Sequence, residues 1–109
     1  MAHQVLRNLM DADEHRVSID NIQRLVCREF SLTLAQLKSK NNSHKVAYPR
    51  QIAMYLSKHL TRSSLPQIGS AFGGKHHTTV LHSVKKITEM MKMDRDLNRL
   101  INKLSDTLN

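Results

Sequence analysis

Apolar residues recur three or four positions apart along most of the chain, in segments separated by polar residues. This spacing places side chains on one face of an α-helix, and it is clearest in segments 18–30, 49–60, 77–91 and 94–108. A short apolar stripe at residues 5–10 precedes them. No segment shows the strict alternation of a half-buried strand, so the pattern predicts an all-α fold.

Residues that favour helix ends stand at the boundaries of these segments. The side chains expected to cap helix N-termini are Ser18, Thr33, Ser63 or Ser64, and Asp94. We place Pro49 and Pro66 in the first turns of two helices, where proline is favoured. Gly73 and Gly74 are expected to end the helix that contains Pro66, because glycine adopts positive φ readily. The sequence therefore predicts a bundle of about six helices, with short connections except for a polar, basic loop at 38–48.

The composition suits a small domain with an aliphatic core. Hydrophobic residues make up 39% of the 109 residues, but aromatic residues only 4%. No apolar run approaches the roughly 18 residues of a membrane-spanning helix, and the first residues lack the apolar segment of a signal peptide. The single cysteine, Cys27, lies among apolar residues and cannot form an internal disulfide. We expect a buried thiol in a reducing cytoplasm.

Positive charge is concentrated in the middle of the chain. The formal net charge is +8, from 17 lysines and arginines and nine acidic residues. The 59 residues between Glu29 and Glu89 contain nine of these basic residues, five of the seven histidines and no acidic residue. An acid-free segment of this length indicates a polyanionic partner rather than an ordinary solvated face.

The segment 68–82, IGSAFGGKHHTTVLH, allows two interpretations. Gly69 to Lys75 matches the G-x-x-x-x-G-K pattern of a phosphate-binding loop, but such a loop needs a serine or threonine where His76 stands. It also needs a preceding strand and a downstream acidic motif, whereas this segment has helical spacing and no carboxylate before Glu89. The sequence favours the alternative, which is a helix, a tight turn at GGK and a second helix that starts at the histidines.

Metal and catalytic sites find little support in the same segment. His77 and His82 are five positions apart, so they do not share a helix face as i and i+4 ligands do, and one cysteine is too few for a typical zinc site. The middle of the chain has no carboxylate that would orient a catalytic histidine. We therefore expect neither a metal site nor an enzyme.

The second helix of the motif has the polar first turn that a DNA recognition helix presents to the major groove. His77 can donate to a base acceptor, and the methyl groups of Thr78 and Thr79 can pack on thymine methyl groups. Free N–H groups in this turn also favour a nearby phosphate. A structural interpretation stays open at this point, in which a threonine merely caps the helix and His82 is a surface residue.

The segment SLPQIGSAFGGKHHTTVLHSVKKI resembles the C-terminal DNA-binding domain of the DnaA family of bacterial replication initiators. The resemblance extends upstream to SIDNIQRLV and VAYPRQIAMYL and covers nearly the whole chain. It implies a helix-turn-helix domain at 18–109 that binds double-stranded DNA at the DnaA boxes of the origin, oriC, in the bacterial cytoplasm and nucleoid. It also implies that residues 1–17 are the end of a linker helix from an AAA+ domain that this chain lacks.

The resemblance sets expectations for partners as well. ATP or ADP and Mg²⁺ belong to the absent AAA+ domain, so we expect no cofactor on this chain. Membrane contact is expected only as an acidic-lipid contact near the linker helix, and the isolated domain is expected to be monomeric. The alternative function is that of a basic helical protein-interaction module that binds an acidic partner.

The resemblance assigns two kinds of DNA contact to individual residues. The positions that read bases, or lie beside them, are Asn42, Leu65, Pro66, His76, His77, Thr78 and Thr79. The positions that bind phosphates are Lys40, Lys45, Arg50, Gln51, Lys58, Lys75 and His82.

This sequence departs from the family pattern at two of these positions. His76 stands where the family usually has an aspartate suited to accept from cytosine N4, and only a neutral histidine can still accept, at one ring nitrogen. Asn42 stands where the family commonly has an arginine in the minor groove. Because asparagine is short and uncharged, we expect minor-groove readout to be weaker or to be carried by Lys45.

Overall fold

The computed structural model describes residues 17–109, which form six α-helices and no strand. The helices are α1 (Ile19–Phe30), α2 (Leu34–Leu37), α3 (His44–Leu60), α4 (Leu65–Ala71), α5 (His77–Met93) and α6 (Arg95–Leu108). The prediction of an all-α fold is confirmed. The predicted apolar stripe at residues 5–10, and the predicted linker helix except for Val17, lie outside the described residues.

The local signals at the helix N-termini are confirmed by hydrogen bonds. The Ser18 and Asp94 side chains each accept from the backbone N–H three residues further along. Thr33 begins α2 with a capping box: its hydroxyl accepts from the Gln36 backbone N–H, and the Gln36 side chain accepts from the Thr33 backbone N–H. Ser64, rather than Ser63, does the same for α4, and Pro66 lies in the first turn of that helix.

The prediction for the start of α3 is wrong. We expected a loop through Tyr48 and a helix with Pro49 in its first turn, but α3 already begins at His44. Pro49 therefore lies in the second turn, where its missing N–H leaves one carbonyl near the exposed start of the helix without an intrahelical partner. Packing outweighs this loss, because Val46 and Pro49 are buried and the Phe30 ring meets the Tyr48 ring edge-on at 6.2 Å.

Helix α3 is the centre of the bundle and contacts each of the other five helices. Its apolar side chains meet one face of α1, α5 and α6 in a single core. The core residues without exposed surface are Ile22, Val26, Leu37, Ile52, Ala53, Met54, Ile68, Phe72, Val80 and Ile87. Among them only Phe72 is aromatic, so the expectation of an aliphatic core is confirmed.

Cys27 lies at the edge of this core and is buried, as expected. Burial raises the pKa of its thiol, and the positive charge of Lys38 opposes that rise. The thiol therefore packs in the core and is disfavoured as a thiolate. Across residues 17–109, no helix combines the length and the apolar character needed to cross a membrane.

Candidate nucleic-acid interface

A tight turn joins α4 to α5, and glycine makes its geometry possible. The Lys75 backbone N–H donates to the Gly69 carbonyl over 2.8 Å. A Cβ at Gly69 would lie 2.1 Å from the Lys75 carbonyl oxygen, so a side chain at this position would force the two segments apart. The chain leaves α4 at the buried Phe72 and turns through Gly73 and Gly74, whose φ angles are 84° and 73°. Helix α4, this turn and α5 form the helix-turn-helix that the sequence predicted.

The phosphate-loop interpretation of the same residues does not fit this structure. Gly69 lies inside helix α4, and a helix rather than a strand leads into the turn. The Lys75 ammonium group donates to the backbone carbonyls of Lys38 and Ser39, which lie before α3 in the sequence. Residues 17–109 also contain no group of three or more His, Cys, Asp or Glu side chains placed to hold a metal ion.

The first turn of α5 is a cluster of exposed polar side chains. His76, His77, Thr78 and Thr79 are all exposed, whereas Val80, the next residue, is fully buried and attaches the turn to the core. The N-cap of α5 is His76, whose Nδ1 accepts from the Thr78 backbone N–H at 3.3 Å. The structural interpretation in which a threonine caps this helix is therefore wrong. The turn presents two histidines and two threonines to solvent at one helix end.

Arg50 lies inside the domain and holds the basic loop, which in the structure comprises residues 38–43. Its Nε donates to the Leu37 carbonyl over 2.7 Å, and its Nη2 donates to the carbonyls of Ser39 and Asn41 over 2.8 and 2.9 Å. The residue is only 4% exposed, and burial lowers the pKa of its guanidinium. This position does not agree with the expectation that Arg50 binds phosphate directly. These hydrogen bonds clamp the loop to α3, and the role of Arg50 in phosphate binding stays a prediction.

Lys75 and Gly73 attach the same loop to the helix-turn-helix. The Lys75 ammonium group donates to the Ser39 carbonyl over 2.8 Å, so Arg50 and Lys75 share this acceptor. A Cβ at Gly73 would lie 2.1 Å from the carbonyl oxygen of Lys38, which means that loop and turn are in close contact. Burial, and then the charges of nearby basic residues, lower the pKa of Lys75. The loop and the turn before α5 thus form one connected unit.

Sequence reasoning missed this connection because it is tertiary. The position of Arg50 follows from where α3 starts. Because the helix begins at His44, Arg50 lies one turn after Val46 and one turn before Met54, on the same face as both. Both of these residues are buried, so Arg50 falls on the core side of α3. Nothing in the spacing of the sequence indicates that Leu37, Ser39 and Asn41 would supply its carbonyl partners.

The comparison with known proteins agrees with this geometry. Residues 19–87 match the family described as "Bacterial dnaA protein helix-turn-helix". The chain belongs to the bacterial DnaA helix-turn-helix family. Two similar proteins are both named "Chromosomal replication initiator protein DnaA": that of Paraburkholderia phymatum is 43% identical over 99% of this chain, and that of Burkholderia multivorans is 42% identical over the same share. The chain spans about a fifth of the length of these relatives, 21% in each case.

The remaining candidate residues of this DnaA-family domain differ in exposure. Those on the surface are Lys40, Asn42, Lys45, Lys58, Pro66 and His82. Leu65 and Gln51 are half-buried, and the Gln51 Oε1 is buried without a hydrogen-bond partner in the described part of the chain. Lys40 and Asn42 belong to the loop that Arg50 and Lys75 hold, so the structure places them beside the turn that leads into α5.

Charge is distributed unevenly over the DnaA-family domain. The ion pairs in residues 17–109 are Arg24–Asp20 at 2.8 Å, Lys92–Glu89 at 3.1 Å and Lys103–Glu29 at 3.4 Å. None of them uses a basic residue from the acid-free segment 30–88. The cations of the loop, the turn and α3 are therefore not neutralised by carboxylates of the same segment, and an anionic partner is the natural complement of this side.

Proposed function

We propose that this chain binds double-stranded DNA sequence-specifically at the DnaA boxes of a bacterial replication origin, as the DNA-binding domain of a replication initiator. One observation carries the proposal: the exposed polar first turn of α5 lies beside a basic loop that is clamped to the same helix-turn-helix. Major-groove readers and backbone-binding cations thus occupy one connected surface. The family membership and the names of the relatives support the proposal.

Base reading is assigned to the first turn of α5. A recognition helix enters the major groove with its N-terminal residues against the base edges. His77 can donate to a base acceptor there, and the Thr78 and Thr79 methyl groups can contact thymine methyl groups. Leu65 and Pro66 begin α4 and form the apolar edge of the same interface. Val80, the next residue, is fully buried and fixes this turn to the core.

Phosphate binding is assigned to exposed cations around this helix. Lys40 lies in the loop, and Lys45 follows it in the first turn of α3. Lys58 lies in the second half of α3, and His82 lies on α5 beyond its first turn. Gln51 and Lys75 remain candidates, although Lys75 already uses part of its donor capacity on the loop. We propose that Arg50 acts indirectly, by holding Lys40 and Asn42 where the backbone and the minor groove pass.

The minor groove is assigned to Asn42 or Lys45. Asn42 is exposed within the clamped loop, and its amide can hydrogen-bond to base acceptors in the groove. Its lack of charge removes the attraction that a narrow, negative groove exerts on arginine. Lys45, which is exposed in the first turn of α3 three residues after Asn42, supplies that charge instead.

The division between base readers and phosphate anchors is tested with two substitutions. Thr79→Ala is expected to weaken binding to a DnaA box by about 1–3 kcal/mol and binding to random DNA very little. Lys58→Ala is expected to weaken both about equally and to reduce the salt slope by about one. Fluorescence anisotropy of the wild type and both variants with the two duplexes gives all six affinities. If the two substitutions had the same effect on both duplexes, the assignment of roles would be wrong.

The alternative is a basic module that binds an acidic protein and associates with DNA only through charge. A gel shift with a DnaA box and a scrambled duplex of equal composition separates the two functions. The proposed function requires the box to bind more tightly, while equal affinities would favour the interaction module. We further propose that the domain acts as a monomer in the bacterial cytoplasm, as a binding domain rather than an enzyme, with nucleotide binding left to the AAA+ part of the initiator.

A further inference from the structure

His76 is part of the recognition turn and also its N-cap, and the two roles constrain each other. The Thr78 backbone N–H points at His76 Nδ1 from 3.3 Å, and the Thr78 hydroxyl oxygen lies 2.8 Å from the same nitrogen. A backbone amide can only donate a hydrogen bond, so Nδ1 must accept and cannot carry a proton in this geometry. The Thr78 hydroxyl is then a second donor to this nitrogen, and it shares the single lone pair with the backbone N–H.

The proton of the neutral ring therefore lies on Nε2. An imidazole that accepts at one nitrogen donates at the other. Nε2 is on the opposite side of the ring from Nδ1, away from the capped N–H, and His76 is exposed. The ring of His77 packs against it with centroids 4.3 Å apart, which restrains the ring of the cap.

We infer that His76 is a specificity-determining residue that presents a donor, its Nε2–H, to an acceptor on a base edge in the major groove. The inference rests on the proposed function, since it needs α5 to lie in that groove. The acceptors available there are guanine O6 and N7, adenine N7 and thymine O4. Cytosine shows only its N4 amino group, a donor, so His76 selects against cytosine at the base it faces.

A carboxylate at position 76 would have the opposite preference. Aspartate is a good N-cap, so His76→Asp preserves the start of α5, but its oxygens only accept hydrogen bonds. The variant is expected to prefer a base with an exposed amino group, cytosine N4 or adenine N6. One substitution at the cap thus reverses the hydrogen-bond polarity that the domain reads at a single base pair.

Selection of duplexes from a pool randomised across the binding site tests the inference. The wild type, His76→Ala and His76→Asp are compared, and His59→Asp serves as the control because it changes an exposed histidine on α3 by the same charge. At the position where His76→Ala loses discrimination, the wild type should bind guanine about fivefold better than cytosine, and His76→Asp should reverse the order. His59→Asp should keep the wild-type preferences at every position.

A wild-type preference for cytosine at that position, or no change in discrimination at any position with His76→Ala, would overturn the inference. In either case the proposed function stands if the wild type still selects a defined site. A wild type that selects no site at all would overturn the proposed function and the inference together. A ¹⁵N NMR spectrum of the free domain at neutral pH provides a test without DNA. It should show the His76 proton on Nε2, and a proton on Nδ1 would contradict the inference.

Discussion

Replacing Arg50 with methionine is expected to release the basic loop from the core. Methionine keeps much of the stem but removes the donors that now meet the carbonyls of Leu37, Ser39 and Asn41 at 2.7–2.9 Å. Hydrogen bonds from a charged group are worth about 1.5–3 kcal/mol each, and the loss is partly offset because a desolvated cation is also removed. We expect the free energy of unfolding to fall by about 2–4 kcal/mol.

This loss is large enough to measure precisely. For a domain of this size, about 1 kcal/mol shifts the melting temperature by roughly 4–8 °C, so Arg50→Met should melt at least about 8 °C lower. Arg62→Met removes the same charge from an exposed side chain and should change stability by less than about 0.5 kcal/mol. Arg50→Lys should recover only part of the loss, because an ammonium group cannot reproduce the planar fork of donors.

The same variants separate a clamp from a phosphate contact. If Arg50 bound phosphate directly, Arg50→Met would leave the urea midpoint nearly unchanged and would lower the salt slope of DNA binding by about one. A change in unfolding free energy below about 1 kcal/mol would therefore refute the clamp. A large loss of stability, with the Arg62→Met control unchanged, would support it.

Two further predictions concern the two helix ends that meet at the turn between α4 and α5. Gly69→Ala should destabilise the domain by at least about 2 kcal/mol, because the new Cβ would lie 2.1 Å from the Lys75 carbonyl oxygen and the turn must shift. A free energy of unfolding, from thermal melts, within about 0.5 kcal/mol of the wild type would contradict this packing. His76→Asp should raise the free energy of unfolding by about 0.5–1 kcal/mol, because aspartate is a better N-cap for α5. His76→Ala should lower it by a similar amount, because alanine removes the cap. Equal stability of the two variants in urea would show that His76 does not cap the helix.

Local signals in the sequence were sufficient to predict most of the helix boundaries. Ser18, Thr33 and Asp94 each cap the helix that they were expected to begin, because a capping side chain binds an N–H only three residues away. Gly73 and Gly74 end α4 for an equally local reason, their positive φ. The helix-turn-helix that contains these glycines was predicted correctly, since the prediction required only these helix boundaries and the apolar spacing.

The start of α3 and the role of Arg50 depend on contacts between distant parts of the chain. The first turn of α3 has no apolar periodicity of its own, and its stability comes from the burial of Val46 and Pro49 against other helices. Arg50 finds its carbonyl partners 9 to 14 residues earlier in the sequence. A buried arginine satisfied by carbonyls leaves no acidic partner to find, so charge pairing in the sequence could not reveal it.

The cap at His76 shows a third kind of limit. The sequence allowed a structural interpretation in which a threonine of the first turn caps the helix. Histidine is not among the residues most favoured at that position. In the structure, the Nδ1 of His76 accepts the backbone hydrogen bond that a capping side-chain oxygen usually accepts. The chemical consequence, a fixed donor at Nε2, follows only from the geometry of this hydrogen bond.

Affinity for a DnaA box and for a scrambled duplex, measured over a series of salt concentrations, tests the central claim most directly. With roughly five to eight phosphate contacts, log affinity for both duplexes should fall with log salt concentration, at a slope of about −5 to −7 for the box. The box should stay about a thousandfold or more tighter than the scrambled duplex, because base contacts depend little on salt. Equal affinity for the two duplexes, or a response to salt that is flat, would contradict the account.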